Sequence, residues 1–205
     1  MVFEKKRILR AQKRFLSDIK KLPRDIKEES ILLIGPMGTG KSTISELISQ
    51  KLKFKRISLD NRNQLQSIYI KRNKFKNFKN FEFILTGLVL SSLKEPSIID
   101  FGAGHSIYED NELREKMNEL CSEFSNIVLL LPSKNKDESR RILLGRRNIL
   151  KGSNQDKDNW HFITAPNNEE LATYTLYEEE KTLEEIMSEL LELRNKQQTK
   201  DEERE

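Results

Sequence analysis

The sequence contains very little cysteine and histidine. Its 205 residues include one cysteine, Cys121, and two histidines. One thiol cannot close an internal disulfide, and this set cannot supply the four Cys or His ligands of a structural zinc cluster. A disulfide-stapled scaffold and a zinc-finger domain are therefore excluded.

Long hydrophobic runs are also missing. No stretch approaches the roughly 18 to 20 consecutive apolar residues that cross a bilayer, and residues 1–20 lack the apolar segment of a secretory signal. We therefore expect no membrane partner and a cytoplasmic location. Hydrophobic residues still form 36% of the chain, which argues against disorder throughout and fits one domain with an extension.

Charge is abundant and unevenly distributed along the chain. Residues 1–80 carry 21 Lys or Arg and 7 Asp or Glu, whereas residues 81–205 carry 16 and 26. The basic half faces either an anionic partner or the acidic half of the same fold. Part of this charge lies in residues 3–21, which predict a basic helix that ends before Pro23.

Short apolar runs alternate with segments of helical periodicity after residue 29. Five runs predict strands, at 31–34, 56–59, 97–101, 127–131 and 173–177. This alternation predicts an α/β fold with parallel strands and crossover helices, in which Cys121 lies on a buried helix face. We divide the chain into a basic helical extension (1–29), an α/β domain (30–194) and a polar tail (195–205).

The run GPMGTGKS at positions 35–42 follows the first predicted strand and precedes a helix. It fits the phosphate-binding pattern G-x-x-x-x-G-K-[ST] at every fixed position. Glycines let the backbone wrap a phosphate chain, Lys41 supplies a charge from an exposed loop, and the Ser42 hydroxyl holds Mg²⁺. The motif predicts ATP and Mg²⁺ as cofactors. The candidate nucleotide-binding residues are Gly35, Gly38, Thr39, Gly40, Lys41, Ser42 and Thr43.

The third predicted strand ends in Asp100, and a run of small residues follows it. Asp100 is a candidate for orienting magnesium-bound water like a Walker B aspartate, and an Asx turn before Gly102 is the alternative. The next loop lies at the carboxyl edge of the sheet, where open α/β folds bind ligands. His105 in this loop is a candidate base or hydrogen-bond donor to substrate, or else a structural residue.

These motifs resemble those of shikimate kinases over about residues 30–192. The resemblance rests on ILLIGPMGTGKST at 31–43, an aspartate at position 60 and the Gly-rich turn after the third strand. Further matches to bacterial shikimate-kinase-like ATP-binding proteins are IDFGAGHS at 99–106 and LLLPS at 129–133. The resemblance implies a P-loop NTPase three-layer sandwich: a five-stranded parallel sheet of order 2-3-1-4-5 with a lid and a substrate-binding insertion.

The resemblance also implies roles for residues beyond the phosphate-binding run. Asp60 matches the aspartate that binds acceptor hydroxyls and positions the attacking oxygen, and a helix-initiating aspartate is the alternative. Arg146 and Arg147 resemble lid arginines that close over ATP and stabilise the transferring phosphoryl group, and exposed surface arginines are the alternative. The candidate acceptor-binding residues are Asp60, Gly102, Ala103 in place of a glycine, Gly104 and His105.

Two departures from the shikimate kinase pattern concern the acceptor. Shikimate kinases have an aspartate two residues before the position of Asp60, where this chain has Ser58. They also have an arginine before the last strand that pairs with the substrate carboxylate, whereas residues 161–168 read HFITAPNN. Without that bidentate partner the carboxylate is left unpaired, so we expect an acceptor other than shikimate.

The leading functional hypothesis is an Mg-ATP-dependent phosphotransferase that acts on a small hydroxylated acceptor. Residues 71–81 interleave five basic residues with three aromatic residues, which suits nucleic acid as well as a solvated helix. A nucleotide- or polynucleotide-directed kinase, with nucleic acid bound through basic residues 3–21 and 71–79, therefore stays open. An ATP-binding switch with slow hydrolysis is another alternative, and the oligomeric state is also open.

Overall fold

Five short parallel strands form the centre of the molecule. The computed structural model describes residues 2–59 and 78–202. The strands are β1 (Ile31–Ile34), β2 (Lys55–Ser58), β3 (Ser97–Asp100), β4 (Asn126–Leu131) and β5 (Tyr174–Tyr177). Their order in the sheet is β2-β3-β1-β4-β5. The predicted α/β class and strand order are therefore confirmed, with strand bounds that differ from the predicted ones by one residue or none.

Helices flank the sheet and connect its strands. They are α1 (Val2–Lys20), α2 (Arg24–Glu29), α3 (Lys41–Leu52), α4 (Phe78–Ser91), α5 (Asn111–Cys121), α6 (Lys136–Arg147), α7 (Asn154–Thr164), α8 (Pro166–Leu171) and α9 (Leu183–Glu202). Asp110, Asn135 and Ser153 cap α5, α6 and α7 by accepting a backbone N–H of the first turn. No helix in the described part of the chain is both long and apolar enough to span a membrane.

Alternate strand residues face two separate helical layers, because successive side chains of a strand point to opposite faces. Leu32 and Ile34 pack with buried residues of α1, α2, α4 and α5. Ile31 and Leu33 pack instead with residues of α3 and α9. Cys121 is buried in the first layer, as its position in the sequence predicts.

Helix α1 packs on the domain through its apolar residues. Ile8, Phe15 and Ile19 are buried and belong to the same core as the apolar residues of α4. The two helices approach closely, since a Cβ atom on Gly87 of α4 would lie 2.4 Å from the Phe15 ring. The basic helix of residues 3–21 therefore contributes to the core of the domain.

The register of the sheet places two functional loops side by side. Leu33 of β1 pairs with Asp100 of β3, and the Phe101 N–H donates to the Leu33 carbonyl oxygen at 3.0 Å. Both strands end at the same edge of the sheet, where α/β folds bind ligands. The phosphate-binding run after β1 consequently adjoins the Gly-rich turn after β3.

Candidate active site

The loop between β1 and α3 has a backbone that only glycine adopts readily. Gly35, Gly38 and Gly40 have φ angles of 138°, 90° and 70°. A Cβ atom on Gly35 would also lie 2.4 Å from the Leu130 carbonyl oxygen. The loop therefore turns tightly across the end of β4 and leads into the N-terminus of α3, where unpaired N–H groups favour an anion.

Lys41 lies across this loop and is not exposed to solvent. Its Nζ donates to the carbonyl oxygens of Gly35 and Pro36, both at 2.8 Å, and the residue is 6% exposed. The expectation of an exposed Lys41 is wrong, because these carbonyl groups hold its ammonium group against the loop. Thr39 is buried and donates to the Pro36 carbonyl oxygen at 3.1 Å, whereas Ser42 is exposed at the start of α3.

A pocket of about 220 Å³ opens over the loop, and we call it the phosphate pocket. It is lined by Met37, Gly38, Gly40, Lys41, Ser42, Thr43, Ala103 and Arg147. The structure thus brings together five predicted nucleotide-binding residues, one residue of the Gly-rich turn and one of the two predicted arginines.

A second pocket of about 700 Å³ adjoins the first, and we call it the adjoining pocket. Met37, Ala103 and Arg147 line both pockets, so these residues lie at the boundary between the two spaces. The remaining lining comes from α4, the turn after β3, and α7: Phe78, Lys79, Glu82, Gly104, Ile107, Glu109, Asp158, His161 and Phe162.

A buried carboxylate forms part of the adjoining pocket. Glu82 is 1% exposed, and its Oε2 lies 2.8 Å from the Nζ of Lys79. Lys79 also donates to the Gly104 carbonyl oxygen at 2.7 Å, and a Cβ atom on Gly104 would lie 3.2 Å from this Nζ. Glu82 was not among the site residues predicted from the sequence. Its one signal was an acidic residue within the apolar run FEFILTGLVL at 81–90.

The two adjacent arginines at the end of α6 have different surroundings. Arg147 lies against the phosphate-binding loop, since a Cβ atom on Gly38 would be 2.8 Å from its Cδ. Arg146 instead pairs with the buried carboxylate of Glu178, which follows β5. Burial raises the pKa of Glu178, and the charges of Arg146 and Lys41 offset part of that rise. Glu178 was not predicted as a site residue because its partners are distant in the chain.

Helix α7 is fixed to the tip of the phosphate-binding loop by Asn159. Its side chain accepts from the Met37 N–H at 3.0 Å and donates to the Met37 carbonyl oxygen at 3.2 Å. Asp156, on the same helix, accepts two hydrogen bonds from Arg140 at 2.7 and 2.6 Å, and the Arg140 guanidinium lies over the Trp160 ring. These contacts join α6 and α7 into one unit beside the loop.

Several predicted site residues lie away from the two pockets. Asp100 is fully buried, and its Oδ2 pairs with Arg56 at 3.1 Å, while its Oδ1 has no hydrogen-bond partner among the described residues. His105 is 1% exposed, and Gly102 is also buried. Asp60 and the basic residues 71–77 lie outside the described residues, so their predicted roles stay predictions.

The family model for shikimate kinase matches residues 37–194 of the chain. The chain belongs to the shikimate kinase family. The matched segment begins within the phosphate-binding loop and includes both pockets, and this membership makes the protein an ATP-dependent kinase. No curated protein sequence matches the chain.

Solved structures agree with the family assignment. Shikimate kinase from Acinetobacter baumannii, solved in complex with shikimate, has 18% identity and a TM-score of 0.56, with 83% of this chain and 96% of that chain covered. A gluconokinase from Sinorhizobium meliloti 1021 has 17% identity and a TM-score of 0.56, with coverage of 83% and 93%. Shikimate kinase from Bacteroides thetaiotaomicron has 25% identity and a TM-score of 0.52, with coverage of 80% and 96%. The resemblance inferred from the sequence motifs is therefore confirmed.

Proposed function

We propose that this shikimate kinase family member transfers the γ-phosphoryl group of Mg-ATP to a hydroxyl group of a small molecule in the adjoining pocket. The observation that carries the proposal is that Met37, Ala103 and Arg147 line both pockets. A phosphoryl group bound over the loop would face an acceptor across this boundary. Such an arrangement supplies the positioning and the charge stabilisation on which phosphoryl transfer depends.

The phosphate pocket offers the groups that a nucleotide requires. We assign the phosphates to the loop N–H groups and Lys41, and the charge of the transferring phosphoryl group to Arg147. Arg146, which pairs with Glu178 in this structure, is a second candidate for stabilising the charge of the transferring phosphoryl group. In the described part of the chain no three carboxylate, His or Cys side chains cluster as metal ligands. The exposed Ser42 hydroxyl fits Mg²⁺, which takes few protein ligands beside phosphates.

Two predicted roles complete this assignment. Asp100, although buried outside the lining of the two pockets, is our candidate for orienting magnesium-bound water. Its Oδ1 has no hydrogen-bond partner among the described residues and is the atom that would accept from such a water. Asp60 is our candidate for positioning the acceptor hydroxyl, as the family resemblance implies.

We further propose that the acceptor is a small hydroxylated molecule other than shikimate. The adjoining pocket contains the carboxylates of Glu82, Glu109 and Asp158, which accept hydrogen bonds from hydroxyl groups. Among the described residues that line this pocket there is one arginine, Arg147, and it also lines the phosphate pocket. Residues 161–168 place His161, not an arginine, in this lining. The solved relatives include a gluconokinase as well as shikimate kinases, which supports a small-molecule acceptor.

A metabolite-extract screen tests this function. The protein is incubated with ATP, Mg²⁺ and fractionated small-molecule extract, and mass spectrometry follows products that gain one phosphoryl group. We expect one such product in an amount equal to the ADP formed, and no product with Lys41→Ala. Shikimate, tested separately, should not be turned over. ADP formation that is independent of the extract, or ATP binding without any phosphorylated product, would contradict transfer and favour an ATP-binding switch.

A further inference from the structure

Helix α1 exposes its basic side chains to solvent. The exposed cations, which we call the basic face, are Lys6, Arg7, Arg10, Lys13, Arg14, Lys20 and, directly after the helix, Lys21. Six of them form three doublets that are seven residues apart. Because seven residues make about two helical turns, the doublet members within the helix share one side of it, and Lys6, Lys13 and Lys20 repeat about every 10.5 Å.

Most cations of the basic face are not neutralised by the residues that the structure describes outside α1. Arg14 and Lys21 both pair with Asp18, at 3.6 and 4.0 Å, which belongs to the same helix. Four cations make no ion pair with any residue that the structure describes: Lys6, Arg10, Lys13 and Lys20. The apolar residues of α1 hold the helix on the domain, so these four charges stay available to a partner.

We propose that the basic face binds the phosphate backbone of a nucleic-acid duplex without reading its sequence. A regular row of cations complements a row of phosphates, and such contacts supply most non-specific binding to nucleic acid. The exposed side chains that the structure describes in residues 6–21 include no aromatic residue, whereas single strands bind through aromatic stacking. The chemistry of this surface therefore fits a duplex backbone.

An anionic membrane fits the same helix less well. Helices that lie on membranes insert their apolar face between the lipids. In α1 this face is already used, because Ile8, Phe15 and Ile19 are 3%, 5% and 0% exposed. The basic face also contributes no residue to the phosphate pocket or the adjoining pocket, so the proposal is independent of the acceptor.

Fluorescence anisotropy with labelled duplexes of about 20 base pairs tests the proposal across about 50 to 200 mM salt. Duplex DNA and duplex RNA are used in parallel with the full-length protein. We expect the logarithm of the binding constant to fall linearly with the logarithm of salt concentration, by about 0.9 for each phosphate contacted. Binding of one duplex type alone supports the proposal and identifies the type.

Two matched variants locate the surface. K6Q/R10Q/K13Q/K20Q removes the four cations without ion pairs and keeps helix propensity, since glutamine is a good helix former. K51Q/K55Q/K94Q/K151Q removes the same charge from exposed lysines elsewhere. We expect the first variant to weaken duplex binding about 30-fold or more and to flatten the salt dependence by several contacts, and the second to change little. ATP binding should be unchanged in both, which reports on the fold.

Three results would overturn the proposal. An equal loss of duplex affinity in the two variants would show that binding depends on the net charge of the protein and not on the basic face. Absence of duplex binding by the parent protein at about 100 μM in low salt would show that the surface is only solvated. Binding to vesicles with anionic lipid, lost in K6Q/R10Q/K13Q/K20Q and without duplex binding, would assign the surface to a membrane.

Discussion

Arg147 is the residue whose position most directly supports phosphoryl transfer. It lines both pockets and lies against Gly38 of the loop. We expect Arg147→Ala to lower kcat about 10²- to 10³-fold with a smaller change in KM for ATP, because its charge acts where negative charge develops. Steady-state kinetics with the acceptor identified by the screen measure this change.

Arg141→Ala is the matched control for that variant. Arg141 lies on the same helix, is exposed and pairs with Glu138 one turn earlier. Its removal should leave kcat unchanged. If both variants lose activity equally, the effect comes from the stability of α6, and if Arg147→Ala keeps the parental kcat, Arg147 has no part in the transfer.

Asp156 makes the stability of the unit formed by α6 and α7 depend on pH. Hydrogen bonds from Arg140 and from the Gly152 N–H lower the pKa of this carboxyl group to about 2. Because the folded-state pKa lies below the unfolded value of about 3.9, the ionised group stabilises the fold above that pH, and this contribution is lost as the pH falls towards 2. We expect Asp156→Asn to be less stable than the parent near neutral pH.

The difference in stability between Asp156→Asn and the parent should shrink between about pH 4 and pH 2. Urea unfolding at a series of pH values measures it. A difference that stays constant over this range would show that the variant loses packing or neutral hydrogen bonds, and that the charge of Asp156 contributes nothing.

At the scale of elements, the contact between α1 and α4 depends on one glycine. A Cβ atom on Gly87 would lie 2.4 Å from the Phe15 ring. Alanine is the better helix former by about 1 kcal/mol, yet we expect Gly87→Ala to destabilise the protein, because overpacking costs about 1–3 kcal/mol. Gly145→Ala is the control, since nothing lies within 4 Å of its added Cβ atom, and it should be neutral or stabilising.

The double variant Phe15→Ala/Gly87→Ala shows whether contact with the Phe15 ring causes the loss of stability in Gly87→Ala. Phe15→Ala alone should lose about 3–5 kcal/mol of unfolding free energy. In that background the methyl group at position 87 has room, so its effect should become neutral or favourable. Urea unfolding of the four proteins measures this coupling. Strictly additive losses would contradict a direct contact between the two residues.

The sheet could be predicted because its signals are local. Residues 31–34 and 126–131 are almost entirely apolar and are buried, as parallel strands covered on both faces must be. The packing of α1 could not be predicted in the same way. It depends on Phe15 meeting a glycine in a helix about 70 residues later in the chain, and no periodicity within α1 signals that partner.

The residues of the candidate site also differ in whether their sequence signals are local. The phosphate-binding loop is contiguous, so its residues are found from the sequence, whereas the burial of Lys41 depends on how the folded loop presents its carbonyl groups. Asn159 and Glu178 were missed because their partners are set by the tertiary fold. Asn159, for example, bonds to the backbone of Met37, which is 122 residues away, and a backbone group carries no sequence signal. The partner of Glu82, Lys79, is local, but the place of this carboxylate beside Gly104 depends on the tertiary fold.

At the scale of the whole molecule, the sheet separates α1 from the helix that follows the phosphate-binding loop. Ile8, Phe15 and Ile19 of α1 belong to the core on one face of the sheet. Ile44 and Ile48 of α3 belong to the core on the other face. Stability and nucleotide binding should therefore respond differently to the loss of α1.

A chain that begins at Pro23 tests this separation, since it lacks α1 but keeps α2. Burial of three apolar side chains contributes about 4.5–9 kcal/mol at about 1.5–3 kcal/mol each, a large share of the about 5–15 kcal/mol by which domains are stable. We expect the melting temperature to fall by about 10–35 °C, since each kcal/mol shifts it by about 2–4 °C in a domain of this size. ATP affinity of the folded fraction, measured by titration at low temperature, should stay unchanged, because α1 lies on the face opposite α3. An unchanged melting temperature would show that α1 adds nothing to the core.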